Sequence, residues 1–259
     1  MVNKNAKNLL PFVLAAFCAL VVFGLAPSAR AQGGPPMLTD DPGTPGSKRW
    51  EVNFLSTLQR SRAGWLFEAP IVDVNYGVGN HIQLKFEAPF VVSRESGGKT
   101  KSGIGNSMFG VKWRFFDEET RGVDMSTYPQ LEFNNPTSSV ERGLADRGMR
   151  LFLPVEIVKK VGQFEVNGEI GYAAVQNGPD ECEYGIAIGR QITKRIELIG
   201  ELHGSALRTL RENELLFNVG SRVTLGKNSV LLISAGRSIR NVAGEGPQHI
   251  AALGIQFNF

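Results

Sequence analysis

The sequence predicts an all-β fold, an antiparallel transmembrane β-barrel of about twelve strands with short periplasmic turns and longer extracellular loops. Three observations carry this expectation. Apolar residues recur at every second position over long stretches, as in extended strands with unlike faces. Aromatics on the oily face gather near strand ends in two bands: Trp50, Tyr76, Trp113, Phe115, Phe164 and Phe259 in one, Trp65, Phe90, Tyr172, Tyr184 and Phe217 in the other. The final residues, GIQFNF, alternate up to a terminal Phe259.

Composition agrees. Of 259 residues 42% are hydrophobic and thirty are Gly, and beyond the N-terminus the apolar runs are short. Helical membrane spanning of the body is therefore not expected. Residues 1–31 read as a signal peptide, with Lys4 and Lys7 ahead of an apolar stretch and a small-x-small site at Ala29-Arg30-Ala31. An uncleaved anchor is the alternative. Loss of the leader removes Lys4, Lys7 and Arg30 and no acid, taking the formal net charge from +3 to zero. The basic balance thus belongs to the leader, and no nucleic-acid partner is expected. Only Cys182 would remain, too few for an internal disulfide.

Residues 32–48, QGGPPMLTDDPGTPGSK, form an irregular lead-in too rich in Gly and Pro to hold a ladder; the barrel is expected over 49–259. The first strand spans 50–59, with Trp50, Val52, Phe54 and Leu58 on its apolar face. Residues 65–67 and 70–76 make the second, and the phase flip near Ala69 and Pro70 calls for a bulge. Gly77, Gly79 and Asn80 turn it into the third at 82–92, where Ile82, Leu84, Phe86, Ala88, Phe90 and Val92 alternate with Gln83, Lys85 and Glu87. A patternless polar loop is expected at 93–103. Phe109, Val111, Trp113 and Phe115 mark the fourth strand, 128–134 the fifth, 149–158 the sixth and 164–172 the seventh. Strands at 182–191, 196–203, 214–225, 230–236 and 248–259 complete the set.

Alternation alone leaves the oily face free to point at lipid or at a core. A periplasmic or secreted soluble β-sandwich or binding barrel is the alternative with reversed polarity. The aromatic bands, the polar face carrying both signs of charge, and the last strand favour the membrane barrel. On that reading Asp73, Asn75, Gln83, Lys85, Glu87, Lys112, Arg114, Glu132, Glu201, His203 and Arg222 line the lumen. They would brace the wall through ion pairs or set selectivity.

Over most of the body the chain resembles the Gram-negative outer-membrane transporter family named for the meta-pathway of phenol degradation (MetA-like). The resemblance lies in TDDPGTPGSKRWEVNF, PIVDVNYGVGNHIQLKFEAPF and GIGNSMFGVKWRFF, and more loosely in IELIGELHG and the final strand. It implies an outer-membrane location and passage of small, often aromatic, compounds. The last strand also resembles the signal that bacterial barrels offer their assembly machinery, which makes Phe257 and Phe259 the assembly signal and that machinery a partner alongside outer-membrane lipid.

An outer-membrane lipid-modifying enzyme is the third possibility, since Glu201, His203 and Ser205 offer an acid, a base and a nucleophile on one strand face. Glu201 and His203 would lie about 7 Å apart along the strand, poor spacing for a relay, so no catalytic residue is assigned. No cofactor or metal site is expected: there is no Cys pair, His cluster or phosphate loop. TDDP around Asp40 and Asp41 reads as an Asp-Pro turn or, less simply, a cation ligand.

Overall fold

The computed structural model describes residues 34–134, 137–207, 213–242 and 246–259. The predicted leader and its cleavage site lie outside these residues, as do parts of the loops expected after 134, after 203 and before 246.

Fourteen strand segments run β1 (Trp50–Arg60), β2 (Gly64–Val78), β3 (Ile82–Glu95), β4 (Thr100–Ile104), β5 (Asn106–Phe116), β6 (Asp124–Thr127), β7 (Gln130–Asn134), β8 (Met149–Val161), β9 (Phe164–Val175), β10 (Glu181–Thr193), β11 (Ile196–Leu207), β12 (Asn213–Thr224), β13 (Ser229–Asn241) and β14 (His249–Asn258). Two breaks are local. The Gly105 N–H donates to the Pro89 carbonyl at 3.0 Å, so β4 and β5 act as one staff of the wall beside β3. Pro129 has no N–H to give, but its carbonyl still accepts from Val111 N at 3.0 Å, which keeps β6 and β7 in one line between β5 and β8. The result is a closed, antiparallel, twelve-stranded barrel. Its seam joins β1 to β14, where Phe259 N donates to Trp50 O at 2.9 Å and Trp50 N to Phe259 O at 3.2 Å.

The expected bulge is present. Register shifts between Glu68 and Ile71 on β2, which resets the inward phase from Glu68 to Ile71. Two sequence expectations need correction. The patternless loop at 93–103 is mostly ladder: Ser93 pairs with Lys101 and Arg94 with Thr100, and Gly97, at φ 80°, makes the turn. Backbone pairing needs no oily face once a hairpin leaves the membrane, so apolar alternation understates its length. The fifth strand likewise begins at Asp124 rather than 128, after a short helix, α1 (Glu118–Arg121), stopped by Gly122 at φ 76°. A second short helix, α2 (Thr137–Glu141), sits between β7 and β8.

The side chains sort as a barrel in lipid requires. Phe54, Phe86, Phe109, Leu153, Ile170 and Leu253 are exposed on the outside, Ile170 to 60%. Buried polar and charged groups, among them Asn53, Asp73, Lys112, Glu156 and Glu201, point in. The soluble alternative fails here, because it needs the oily side enclosed. Among the described residues no helix is long and apolar enough to cross a membrane.

Candidate functional site

The lumen is where the chain concentrates its buried chemistry, and residues 34–48 occupy it. The four prolines at 35, 36, 42 and 45 keep this segment out of the ladder. It enters at the rim where β2 turns into β3: Lys48 N donates to Gly77 O at 2.9 Å, Gly77 N to Arg49 O at 3.0 Å, and Thr44 Oγ1 to Asn80 O at 2.9 Å. Gly77 is required there, since a Cβ would overlap the Gly46 carbonyl. The segment climbs to Leu38 and Thr39 and doubles back through a tight turn in which Gly34 N donates to Thr39 O at 2.9 Å. Gly185 and Gly220 make room on the wall, because Cβ atoms there would strike Thr39 and Met37.

Wall side chains hold each part of it. Glu201 accepts from Leu38 N at 3.2 Å and Thr39 N at 2.5 Å. Arg222 donates from Nε to Pro35 O at 2.9 Å and from one terminal nitrogen to Gly34 O at 3.0 Å. Ser234 Oγ donates to Pro36 O at 2.9 Å and Asn167 Nδ2 to Asp40 O at 2.6 Å. Lys112, only 2% exposed, meets Asp40 Oδ1 at 2.9 Å, the Asp41 carbonyl, and Glu156 at 3.5 Å, with its Nζ 4.6 Å from the centre of the Tyr128 ring. Asp41 accepts from Gly43 N at 2.5 Å, closing the Asp-Pro turn. At the inner end of the segment Met37 packs on Ala187 and Ile199.

The sequence-derived positions fall into three groups. Asp73, Asn75, Gln83, Lys85 and Glu87 form one chain near the entry rim. In it Gln83 Nε2 donates to Asn75 Oδ1 at 2.7 Å, Asn75 Nδ2 to Asp73 Oδ1 at 3.0 Å, and Lys85 lies 3.5 Å from Asp73 and 3.2 Å from Glu87. Lys112, Glu201 and Arg222 grip the inner segment. Arg114 is at the rim, bound to Asn80 O at 3.0 Å and Asp117 at 2.9 Å, whereas Glu132 stands toward the other end, 2.9 Å from Arg150. His203 is half-buried on β11. Glu201 spends its carboxylate on the segment and on Asn218 Nδ2 at 3.1 Å.

Sequence reasoning passed over Glu156, Arg150 and Asn218, whose inward phase was readable from alternation, and an apolar inner strip that was not. Leu55, Ile71 and Leu232 cluster there on the inner wall. Outside the membrane-spanning strands, Asp117 joins two turns. Partial desolvation pulls its carboxyl upward, and the hydrogen bond with His81 at 3.0 Å and the Arg114 charge outweigh that, leaving it below the usual carboxylate range.

The inner segment divides the remaining space. A gap of about 50 Å³ lies on the entry side against Asp73, Lys85 and Arg222, and a cavity of about 340 Å³ opens on the loop side between Met37, Phe152 and Ile250. A closed antiparallel wall with an oily exterior, a charged interior and a segment of its own chain inside defines the fold class of outer-membrane barrels. No protein-family model matches the chain, nor does any curated protein. Solved structures of that fold do. An outer membrane channel from Pseudomonas putida F1 aligns over 88% of this chain and all of its own, with TM-score 0.60 and 15% identity. The NanC porin aligns over 80% of this chain and 98% of its own (TM-score 0.59, 8% identity), and the KdgM porin over 81% and 99% (TM-score 0.57, 10% identity).

Proposed function

We propose that the chain is an outer-membrane channel for small molecules, narrowed by its own residues 34–48. The observation that carries this reading is the seating of that segment on charged wall groups, Lys112, Glu201 and Arg222, inside a barrel whose outer face is apolar. Such bonds fix a plug in place yet can be traded for water, whereas an apolar core cannot. The eleven positions named from the sequence then divide into a wall brace and a plug clamp, with Arg114 at the rim and Glu132 and His203 on the route beyond. Export by the leader, insertion guided by Phe257 and Phe259, and an annulus of outer-membrane lipid complete the reading. Small aromatic or apolar compounds are the solutes favoured by the family resemblance and by the inner strip of Leu55, Ile71 and Leu232.

Fractionation and a gel run with and without boiling test the location: the protein pellets with outer membranes and shifts mobility on heating. Planar-bilayer recording tests the role. The full mature chain gives small or brief openings, and a variant lacking residues 34–48 gives larger, longer ones. Equal conductance in the two proteins removes the plug, and no conductance in either removes the channel.

A further inference from the structure

We infer that the loop-side cavity is a binding site for an organic cation, a protonated amine or quaternary ammonium carrying an apolar body. The inference rests on the channel reading only in placing this cavity on the route. Its volume of about 340 Å³ falls within the range of small-molecule sites, roughly 300–1,000 Å³.

The charge on its wall is lopsided. Five glutamates, Glu68, Glu87, Glu132, Glu169 and Glu183, and Asp40, which Lys112 holds, face two cations, Lys85 and Arg150. Both cations are engaged: Lys85 lies between Asp73 and Glu87, and Arg150 binds Glu183 and lies 2.9 Å from Glu132. Among the described residues no cation lies within 4 Å of Glu68 or Glu169. Glu68 takes a hydrogen bond from Thr57 Oγ1 at 2.8 Å, and Glu169, only 7% exposed, takes a long one from Asp40 N at 3.3 Å. A buried carboxylate stays ionised only beside a counter-charge and otherwise takes up a proton, so a bound cation favours the ionised form of Glu169.

The shape of the site selects the kind of cation. A hard metal ion needs six or more oxygens converging at about 2.0–2.6 Å, and among the described residues no three acids, histidines or cysteines are grouped to hold one. The carboxylates are instead spread around a space whose wall also carries the apolar Leu55, Ile71, Phe152 and Ile250, with neutral polar groups such as Gln130 and Asn218 between them. A diffuse cation with hydrocarbon attached satisfies both surfaces, and Phe152 already carries a cation near its ring, with the Arg150 guanidinium carbon 5.3 Å from the ring centre. An anion of the same shape meets repulsion from Glu87, Glu132 and Glu183, and a neutral molecule gains no charge interaction with Glu169.

The full mature chain, folded in a non-ionic detergent, is titrated calorimetrically with benzyltrimethylammonium, tetramethylammonium, benzyl alcohol and benzoate. Benzyltrimethylammonium is expected to bind saturably and at least tenfold more tightly than the other three, and Glu169→Gln and Glu68→Gln each to weaken it at least tenfold. Heat-modifiable mobility verifies folding, and Glu87→Gln replaces either variant that does not fold. Absence of saturable benzyltrimethylammonium binding, benzoate or benzyl alcohol binding as tightly, or unchanged affinity in the folded variants overturns the inference. Bilayer currents are read separately: binding without current in any variant keeps this site and removes the channel, whereas current without binding does the reverse.

Discussion

Lys112 has three N–H donors and meets Asp40, the Asp41 carbonyl and Glu156 in a space closed to solvent. Its removal strands two carboxylates, and losing one partner of a buried ionic group costs about 3–5 kcal/mol. Lys112→Met is therefore expected to lower stability by about that amount in detergent denaturation and to lengthen channel openings, while Lys112→Arg restores part of both. Asp117 makes a different prediction. Its carboxyl is held below its ordinary range, so its contribution is present above the unfolded carboxylate pKa and is lost as pH falls through the lower folded value. Hydrogen exchange at 79–81 and 117–123, corrected for intrinsic rates, should show protection at neutral pH that falls toward the Asp117→Asn level only as pH drops below the ordinary carboxylate range. Alternation in the sequence shows that Lys85 and Glu87 share a face. It could not show that Lys112 meets Asp40, because Asp40 belongs to an aperiodic stretch whose path depends on the lumen that later forms around it.

Residues 34–48 illustrate what composition can and cannot say about an element. Gly and Pro exclude a ladder, and the chain obeys, but the route inward is written elsewhere, in the absence of side chains at Gly77, Gly185 and Gly220. A leucine at Gly185 would occupy the space of Thr39 without touching the outer wall. Gly185→Leu should retain the heat-shifted band of a folded barrel, raise conductance toward that of the protein lacking 34–48, and expose the segment to protease. The β2 bulge was legible for the opposite reason: Glu68 and Ile71 both face inward, and only an extra residue in the strand reconciles their spacing. Strand ends were legible only where apolar alternation lasted, which is why the hairpin through Gly97 extends beyond expectation.

At the scale of the whole molecule the outward face decides the solvent. Val155 lies mid-strand on β8, 42% exposed and among apolar neighbours. Val155→Arg should cost about 2–4 kcal/mol in lipid vesicles, the range for a cation facing mid-bilayer hydrocarbon, measured by reversible denaturant titration. No comparable loss would place that surface in water. The seam between β1 and β14 has a temporal consequence. Gln256 and Glu51, bonded across it at 2.8 Å, are 205 positions apart in the chain, while the other wall pairings join strands that are close neighbours in sequence. Hairpins can therefore accumulate one after another, but the cylinder stays an open ribbon with two raw edges until its last strand, His249–Asn258, finds the first.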